Sequence, residues 1–173
     1  LLPGFIDNHL HPFLGALLTP MEIIAPEPWR MEGGRIAPAA NTPQRYLELL
    51  KERLAATLEK GADKSDWFIS FGYQPSEHGR LARTELDALC PDRPVILWQR
   101  SFHESYLNSA ALDKLGITPE LVGAHPQVDL ANGHFFETGN KVMMARLLPY
   151  LLRPEWYHRG LNTTVELAQQ GGI

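Results

Sequence analysis

The sequence predicts an α/β fold, in which apolar strands alternate with helices along the chain. Residues 95–98 (VILW) form a continuous apolar run, which is typical of a strand covered on both faces of a parallel sheet. Helical patterns with clear start signals lie on both sides of that run. The 173 residues are 44% hydrophobic and 21% charged, and these values indicate a folded globular domain.

The first predicted strand covers residues 1–11. Pro3 and Gly4 precede the bulky residues Phe5 and Ile6, and polar side chains collect at the C-terminal end. The region from about residue 21 to residue 43 is rich in proline and glycine and has no periodicity. It is therefore predicted to be an irregular insert.

The clearest helix begins with Thr42 as its N-cap and Pro43 at its first position, and Gly61 ends it. Its apolar residues recur at helical spacing, namely Tyr46, Leu47, Leu50, Leu54 and Leu58. Alternation at Trp67, Ile69 and Phe71 then predicts a strand. Thr84 is the predicted N-cap of a short helix that ends at Leu89.

Three helices are predicted after the apolar run. The first has Asn108 as N-cap and ends at Gly116, and the second spans residues 140–152. The third begins at Thr163 or Thr164 and ends at the Gly171-Gly172 pair. Residues 118–133 between them are predicted to be a loop that ends in an Asn132-Gly133 turn.

Composition excludes several function classes. The net charge is −4 without a basic run, so we expect no nucleic acid partner. No apolar run approaches the roughly 20 residues that span a bilayer, and no export signal opens the chain. Cys90 is the single cysteine, which slightly favours the cytoplasm. We expect a small-molecule substrate as partner, and self-association into a homo-oligomer stays open.

The densest group of functional side chains is the sequence DNHLH at residues 7–11. In an extended chain His9 and His11 project from one face, within reach of a single metal ion. Zinc accepts histidine nitrogen and activates water, and active sites of parallel α/β folds gather at strand C-termini. Without further context, however, two histidines on an exposed strand are more often a solvated pair than a ligand set.

Longer motifs supply that context. Residues 2–12 (LPGFIDNHLHP) resemble the opening barrel strand of the amidohydrolase superfamily. Residues 91–95 (PDRPV), His103 and residues 108–112 (NSAAL) are similar to the family-3 branch, which includes N-substituted formamide deformylases. Residues 133–137 (GHFFE) resemble the "GxLxE" stretch of that branch, and residues 171–173 (GGI) resemble the start of its "GIT" strand.

The resemblance implies a partial (β/α)₈ TIM barrel of the metal-dependent hydrolase type, with residues 1–173 as its N-terminal part and the insert after the first strand. It implies hydrolysis of non-peptide carbon–nitrogen bonds, such as amides, by metal-activated water. His9 and His11 would be metal ligands for one or two divalent ions, most plausibly zinc. The remaining ligands and the general base would lie on later strands, beyond Ile173.

Three further residues are candidates. His103 either contacts the substrate or the water held by the metal, or it caps the turn that follows. Glu137 either approaches the metal centre or substrate, or it is a helix N-terminal residue favoured by the dipole. Asp7 is expected to orient neighbouring backbone or ligand groups.

The chain departs from the family pattern before His103. Relatives often have Asp-Gly there, where this chain has Arg100-Ser101-Phe102. The other histidines, His78, His125, His134 and His158, are predicted to be solvent-exposed.

An alternative from another class is a non-catalytic α/β fragment or pseudoenzyme segment, because two ligands cannot complete a zinc site. The chain begins without methionine and stops where a strand is expected to begin. We therefore expect the sequence to be part of a longer chain.

Overall fold

The computed structural model describes residues 4, 6, 7 and 9–172 of the chain. Its helices are α1 (Pro12–Leu18), α2 (Pro43–Glu59), α3 (Pro75–His78), α4 (Arg83–Leu89), α5 (Ser109–Leu115), α6 (Pro119–Val122), α7 (Thr138–Leu151) and α8 (Pro154–Gln170). Its strands are β1 (Glu22–Ile23), β2 (Trp29–Arg30), β3 (Ile36–Ala37), β4 (Phe68–Tyr73), β5 (Val95–Gln99), β6 (Glu104–Leu107), β7 (Val128–Asp129) and β8 (His134–Phe136). Among these residues, no helix combines the length and apolarity needed to cross a bilayer.

Six strands form one mixed sheet in the order β1-β4-β5-β6-β8-β7. Strands β1, β4 and β5 run parallel, and β6, β8 and β7 join through antiparallel pairs. The α/β class predicted from sequence is therefore confirmed, with a mixed sheet instead of a purely parallel one. The antiparallel strands β6 and β8 were not predicted, because they are only four and three residues long.

Helices cover both faces of the parallel strands, as the apolar run of β5 predicts. Ile96 and Trp98 belong to one apolar cluster, which includes residues of α1, α5 and α7. Val95 and Leu97 belong to a second cluster, which includes residues of α2 and α4. The strand interior is therefore buried on both sides, which is why it lacks hydrophobic alternation.

The insert is mostly irregular, as predicted, with three short strands and a 3₁₀ turn at Glu32–Gly34. Strands β2 and β3 form a separate two-stranded sheet, whereas β1 adds an edge to the main sheet. A bidentate ion pair attaches the insert to the end of β5, since Arg100 contacts both carboxylate oxygens of Glu27 at 2.8 and 3.0 Å.

Helix α2 has its predicted N-cap, since the Thr42 hydroxyl accepts the backbone N–H of Arg45 at 3.2 Å. Helix α5 likewise has its predicted N-cap, Asn108, and Gly116 ends it with a φ of 61°. Two predicted starts are wrong. Helix α4 begins at Arg83, so Thr84 is not its cap. Helix α8 begins at Pro154, nine residues before Thr163, because proline is well suited to the first turn of a helix.

Asn108 connects β5 to two other segments through a fully buried amide. Its side-chain oxygen accepts the backbone N–H groups of Val95 and Ala111, each at 2.9 Å. Its NH₂ group donates to the carbonyls of Cys90 and Arg93, each at 2.8 Å. All the polar atoms of this side chain are therefore satisfied, which explains why asparagine suits this position.

Helices α1 and α8 cross at very close range. A Cβ atom on Gly160 of α8 would overlap the carbonyl oxygen of Ala16 in α1 and lie 2.9 Å from Pro20. Thr19 Oγ1 donates to the Gly160 carbonyl at 3.0 Å, and the Trp156 indole donates to the Leu17 carbonyl at 3.0 Å. Glycine at position 160 therefore permits the contact that holds α1 in place.

The predicted exposure of four histidines is correct for His158, which is exposed, and wrong for His78, which is only 2% exposed. His125 and His134 are partly buried. The His78 ring stacks on Tyr46 with centroids 4.1 Å apart, and its Nδ1 accepts the Gln74 backbone N–H at 2.9 Å. The short helix α3 folds the chain back and carries this ring into the core.

Burial lowers the pKa of His78 to about 4, whereas the pKa of a histidine in an unfolded chain is about 6.5. Between these values the unfolded chain binds a proton that the native chain does not, so the free energy of unfolding should decrease as pH falls. The decrease should reach up to about 1.4 kcal/mol per pH unit. Denaturant unfolding of His78→Gln at several pH values should lack this part of the slope. The control His158→Gln should retain this part of the slope. Identical slopes in the parent protein and both variants would contradict the prediction.

Candidate active site

The residues that surround the two candidate ligands do not form the predicted strand. Residues 4, 6, 7 and 9–11 have no strand pairing, and the rest of the predicted strand lies outside the described residues. Asp7 Oδ1 accepts the backbone N–H of His9 at 2.9 Å, and such local side-chain bonds to the backbone compete with strand pairing. His11 is the N-cap residue of α1, whose first residue is Pro12. The prediction of a strand is therefore wrong for the described part of this segment.

His9 and His11 nevertheless converge. Their Nε2 atoms lie 3.0 Å apart, and the ring centroids are 4.8 Å apart with the planes nearly perpendicular. One ion bound at about 2.0–2.1 Å from each nitrogen can bridge such a separation. Both residues are exposed. His11 is attached to the first turn of α1, since the backbone N–H of Gly15 donates to the His11 carbonyl at 3.0 Å.

The structure brings His103 and Glu137 together, although 34 residues separate them. His103 Nδ1 lies 3.1 Å from Glu137 Oε2, and the Glu137 backbone N–H donates to the His103 carbonyl at 2.9 Å. Glu137 follows β8 directly and precedes α7, without a side-chain capping bond there. Both side chains are more than half exposed, so they are accessible to a ligand.

The backbone at this contact is unusual. Phe102 has a φ of 67° and Glu137 a φ of 48°, the positive-φ non-glycine residues of the described chain. Such conformations cost about 1–3 kcal/mol each and persist when surrounding bonds enforce them. Here the Asn140 amide and the Trp98 indole both donate to the Phe102 carbonyl, at 2.9 and 3.3 Å.

A second histidine–carboxylate pair lies beside the first and was missed by sequence reasoning. His134 Nε2 lies 2.8 Å from Glu104 Oε2, which also accepts the Tyr106 hydroxyl at 3.0 Å. The Gln99 amide donates to the other oxygen of Glu104 at 3.2 Å. The pairing of β6 with β8 creates this group. Residues 104–107 (ESYL) show no alternation of polarity in the sequence, although their burial alternates in the structure, so the sequence has no clear signal for this strand.

Within the described residues, no group of three or more histidine, cysteine, aspartate or glutamate side chains is arranged to hold a metal ion. The two convergent nitrogens of His9 and His11 would supply only two of the three protein ligands that a catalytic zinc site takes. His103, Glu137, Glu104 and His134 form separate hydrogen-bonded pairs.

Three kinds of similarity to known proteins accompany this geometry. The profile of the Amidohydrolase family matches residues 1–124. The chain is 31% identical over 121 residues to the amidohydrolase YtcJ of Bacillus subtilis, covering 68% of this chain and 20% of that protein. It is also 31% identical over 136 residues to an N-substituted formamide deformylase of Arthrobacter pascens, covering 75% and 22%. The chain thus spans about a fifth of the length of these relatives.

A solved structure supports the fold. The chain superposes on an uncharacterized metal-dependent hydrolase of Pyrococcus horikoshii with a TM-score of 0.65 and 22% identity. The superposition covers 99% of this chain and 29% of the other. The described arrangement of strands and helices therefore corresponds to part of a larger known architecture.

Proposed function

Because this chain belongs to the amidohydrolase family, we propose that it forms the N-terminal part of a metal-dependent hydrolase that acts on non-peptide carbon–nitrogen bonds. The observation that carries the proposal is the convergence of His9 and His11, whose Nε2 atoms lie 3.0 Å apart. The parallel strands β1, β4 and β5 would be part of a (β/α)₈ barrel that later segments complete. A relative named for deformylation of N-substituted formamides supports amide-type substrates.

The donor set fits a divalent metal, most plausibly zinc, as a partial site. His9 and His11 would hold it, since imidazole nitrogen is a favoured zinc ligand and both rings point their Nε2 atoms together. Such a metal, when bound, lowers the pKa of a water molecule toward neutrality and polarises a carbonyl group. The further ligands and the general base would come from segments beyond residue 173, and one or two ions would be present in the whole protein.

Other residues of this chain would position these groups. Asp7 accepts the backbone N–H of His9 and so restrains the ligand segment. His103 and Glu137 are accessible and hydrogen-bonded to each other, which suits them to contact a polar substrate. Their backbone bond also stabilises the junction between β8 and α7, so a structural role accompanies the contact. We expect the protein to act in the cytoplasm on a small molecule.

Elemental analysis tests the proposal. The 173-residue chain, purified without chelator, should retain metal far below one equivalent, because two histidines alone form an incomplete site. A longer protein that contains this segment should retain one or two equivalents. Absence of metal from the longer protein, with its hydrolysis of amides also absent, would refute the proposal and favour the non-catalytic alternative.

A further inference from the structure

A cavity of about 610 Å³ opens at the edge of the sheet where β1, β4 and β5 begin. Glu22 and Phe68, the first residues of β1 and β4, line it, and so does Arg93, two residues before β5. His103 follows the opposite end of β5, so the cavity is distinct from the candidate active site. Its volume lies within the range of small-molecule pockets, which is about 300–1,000 Å³.

A buried cation forms part of the wall. Arg93 is only 3% exposed, and its guanidinium donates to the Asp66 carbonyl at 3.0 Å, the Thr57 hydroxyl at 2.7 Å and the Trp67 carbonyl at 3.3 Å. These acceptors are all neutral. No carboxylate of the described residues lies within 4.0 Å of the guanidinium. A guanidinium has five N–H donors, and a buried charge without a counterion is costly.

A donor without an acceptor among the described residues belongs to the same wall. The indole Nε1 of Trp67 is buried and has no acceptor among the residues that the structure describes. The ring is fixed edge-on against Tyr150, with centroids 5.2 Å apart, and the Lys114 ammonium lies 5.0 Å from its centroid. An indole N–H can only donate, so it requires an acceptor from outside the described contacts.

The rest of the wall combines aromatic rings with further cations. Arg153 lies 5.1 Å from the Tyr150 ring centroid, and Arg159 lies 5.6 Å from that of Trp156. Lysine and arginine slightly outnumber carboxylates, with Lys60, Arg93, Arg153 and Arg159 against Glu22, Asp66 and Glu155. Among the described residues, the cavity wall therefore contains a buried guanidinium without a carboxylate partner and a buried indole N–H without an acceptor, beside aromatic rings.

We propose that this cavity binds a small aromatic oxyanion, whose carboxylate or phosphate group pairs with Arg93 and accepts the indole N–H of Trp67. The oxyanion supplies a counter-charge in direct contact, which the carboxylates of Glu22 and Asp66 do not, and two oxygens match the remaining donors of the guanidinium. The aromatic ring of the ligand packs against Tyr150 and Trp156. This site does not involve His9 or His11, so its occupancy is independent of metal.

Calorimetric titration of the 173-residue chain, with EDTA present, tests the proposal with benzoate, phenyl phosphate and benzamide. At least one oxyanion should bind saturably, and the stronger of the two identifies the preferred group. Benzamide keeps the ring and shape of benzoate without the charge, so it should bind at least about tenfold more weakly. No saturable binding of either oxyanion up to about 10 mM, or equal affinity for benzamide, would overturn the proposal.

Substitutions locate the site. Arg93→Gln should weaken oxyanion binding at least about tenfold, because a charge-assisted bond is lost. Arg146→Gln, at an exposed arginine of α7 outside the cavity lining, should change it less than about threefold. Trp67→Phe keeps the ring and removes the N–H, and should weaken binding by about threefold or more. If circular dichroism shows that Arg93→Gln does not fold, the affinity of Trp67→Phe tests the assignment instead. Unchanged affinity in a folded Arg93→Gln, or in Trp67→Phe, contradicts the assignment.

Discussion

Replacing His9 by alanine, in the longer hydrolase that we propose contains this segment, is expected to remove bound metal and hydrolytic activity together. The Nε2 atoms of His9 and His11 converge to 3.0 Å, so loss of one ring leaves a single nitrogen on this side of the site. Affinity for metal should fall by more than about a hundredfold, because loss of an outer hydrogen-bonding partner alone costs about ten- to a hundredfold. His11→Ala should behave in the same way.

Metal content by elemental analysis and the rate of amide hydrolysis are measured on the same preparations. His158→Ala is the matched control, because His158 is exposed on α8 and we assign it no contact with the site. It should retain both metal and activity. A His9→Ala protein that keeps stoichiometric metal would show that the histidine pair is not a ligand set.

Replacing Gly160 by valine is expected to have the largest effect on stability. A Cβ at this position would overlap the Ala16 carbonyl oxygen. It would also lie 2.9 Å from Pro20 Cγ, just after α1. Backbone atoms cannot move aside as a flexible side chain can, so α1 and α8 must separate. We expect a loss of at least about 3 kcal/mol in the free energy of unfolding, at the upper end of the cost of overpacking.

Denaturant unfolding measures this effect, and Gly171→Ala is its control. Gly171 has a φ of −75°, and a Cβ there would meet the Ala168 carbonyl oxygen of its own helix at 3.2 Å. That change should alter stability by less than about 1 kcal/mol. Because His11 caps α1, a destabilised α1–α8 contact should also weaken metal binding in the longer protein. A Gly160→Val protein as stable as the parent would contradict the close packing of the two helices.

Local signals in the sequence were sufficient for several elements. The starts of α2 at Thr42-Pro43 and of α5 at Asn108 depend on capping bonds that reach three residues along the chain. The residues that determine each start are therefore adjacent in the sequence. The continuous apolar run of β5 likewise reflects burial on both faces. The motif with His9 and His11 indicated the family in the same way, because its spacing is local.

Other features depend on residues far apart in the chain. The contact between His103 and Glu137 arises only when β6 and β8 pair. The sequence also predicted a strand at residues 1–11, where the described residues have no strand pairing and a helix begins after His11. A strand needs a pairing partner, and its own sequence does not contain one.

The sequence by itself determined the α/β class, the caps of α2 and α5 and the spacing of the candidate ligands, because each follows from contacts within a few residues. Tertiary structure alone decided that His78 is buried against Tyr46 and that Gly160 packs directly against the Ala16 carbonyl. It also decided that Arg93 lies on a cavity wall and has no carboxylate partner among the described residues. The physical reason is that burial and close approach are set by which distant segments pack together, and one sequence has no local signal for that.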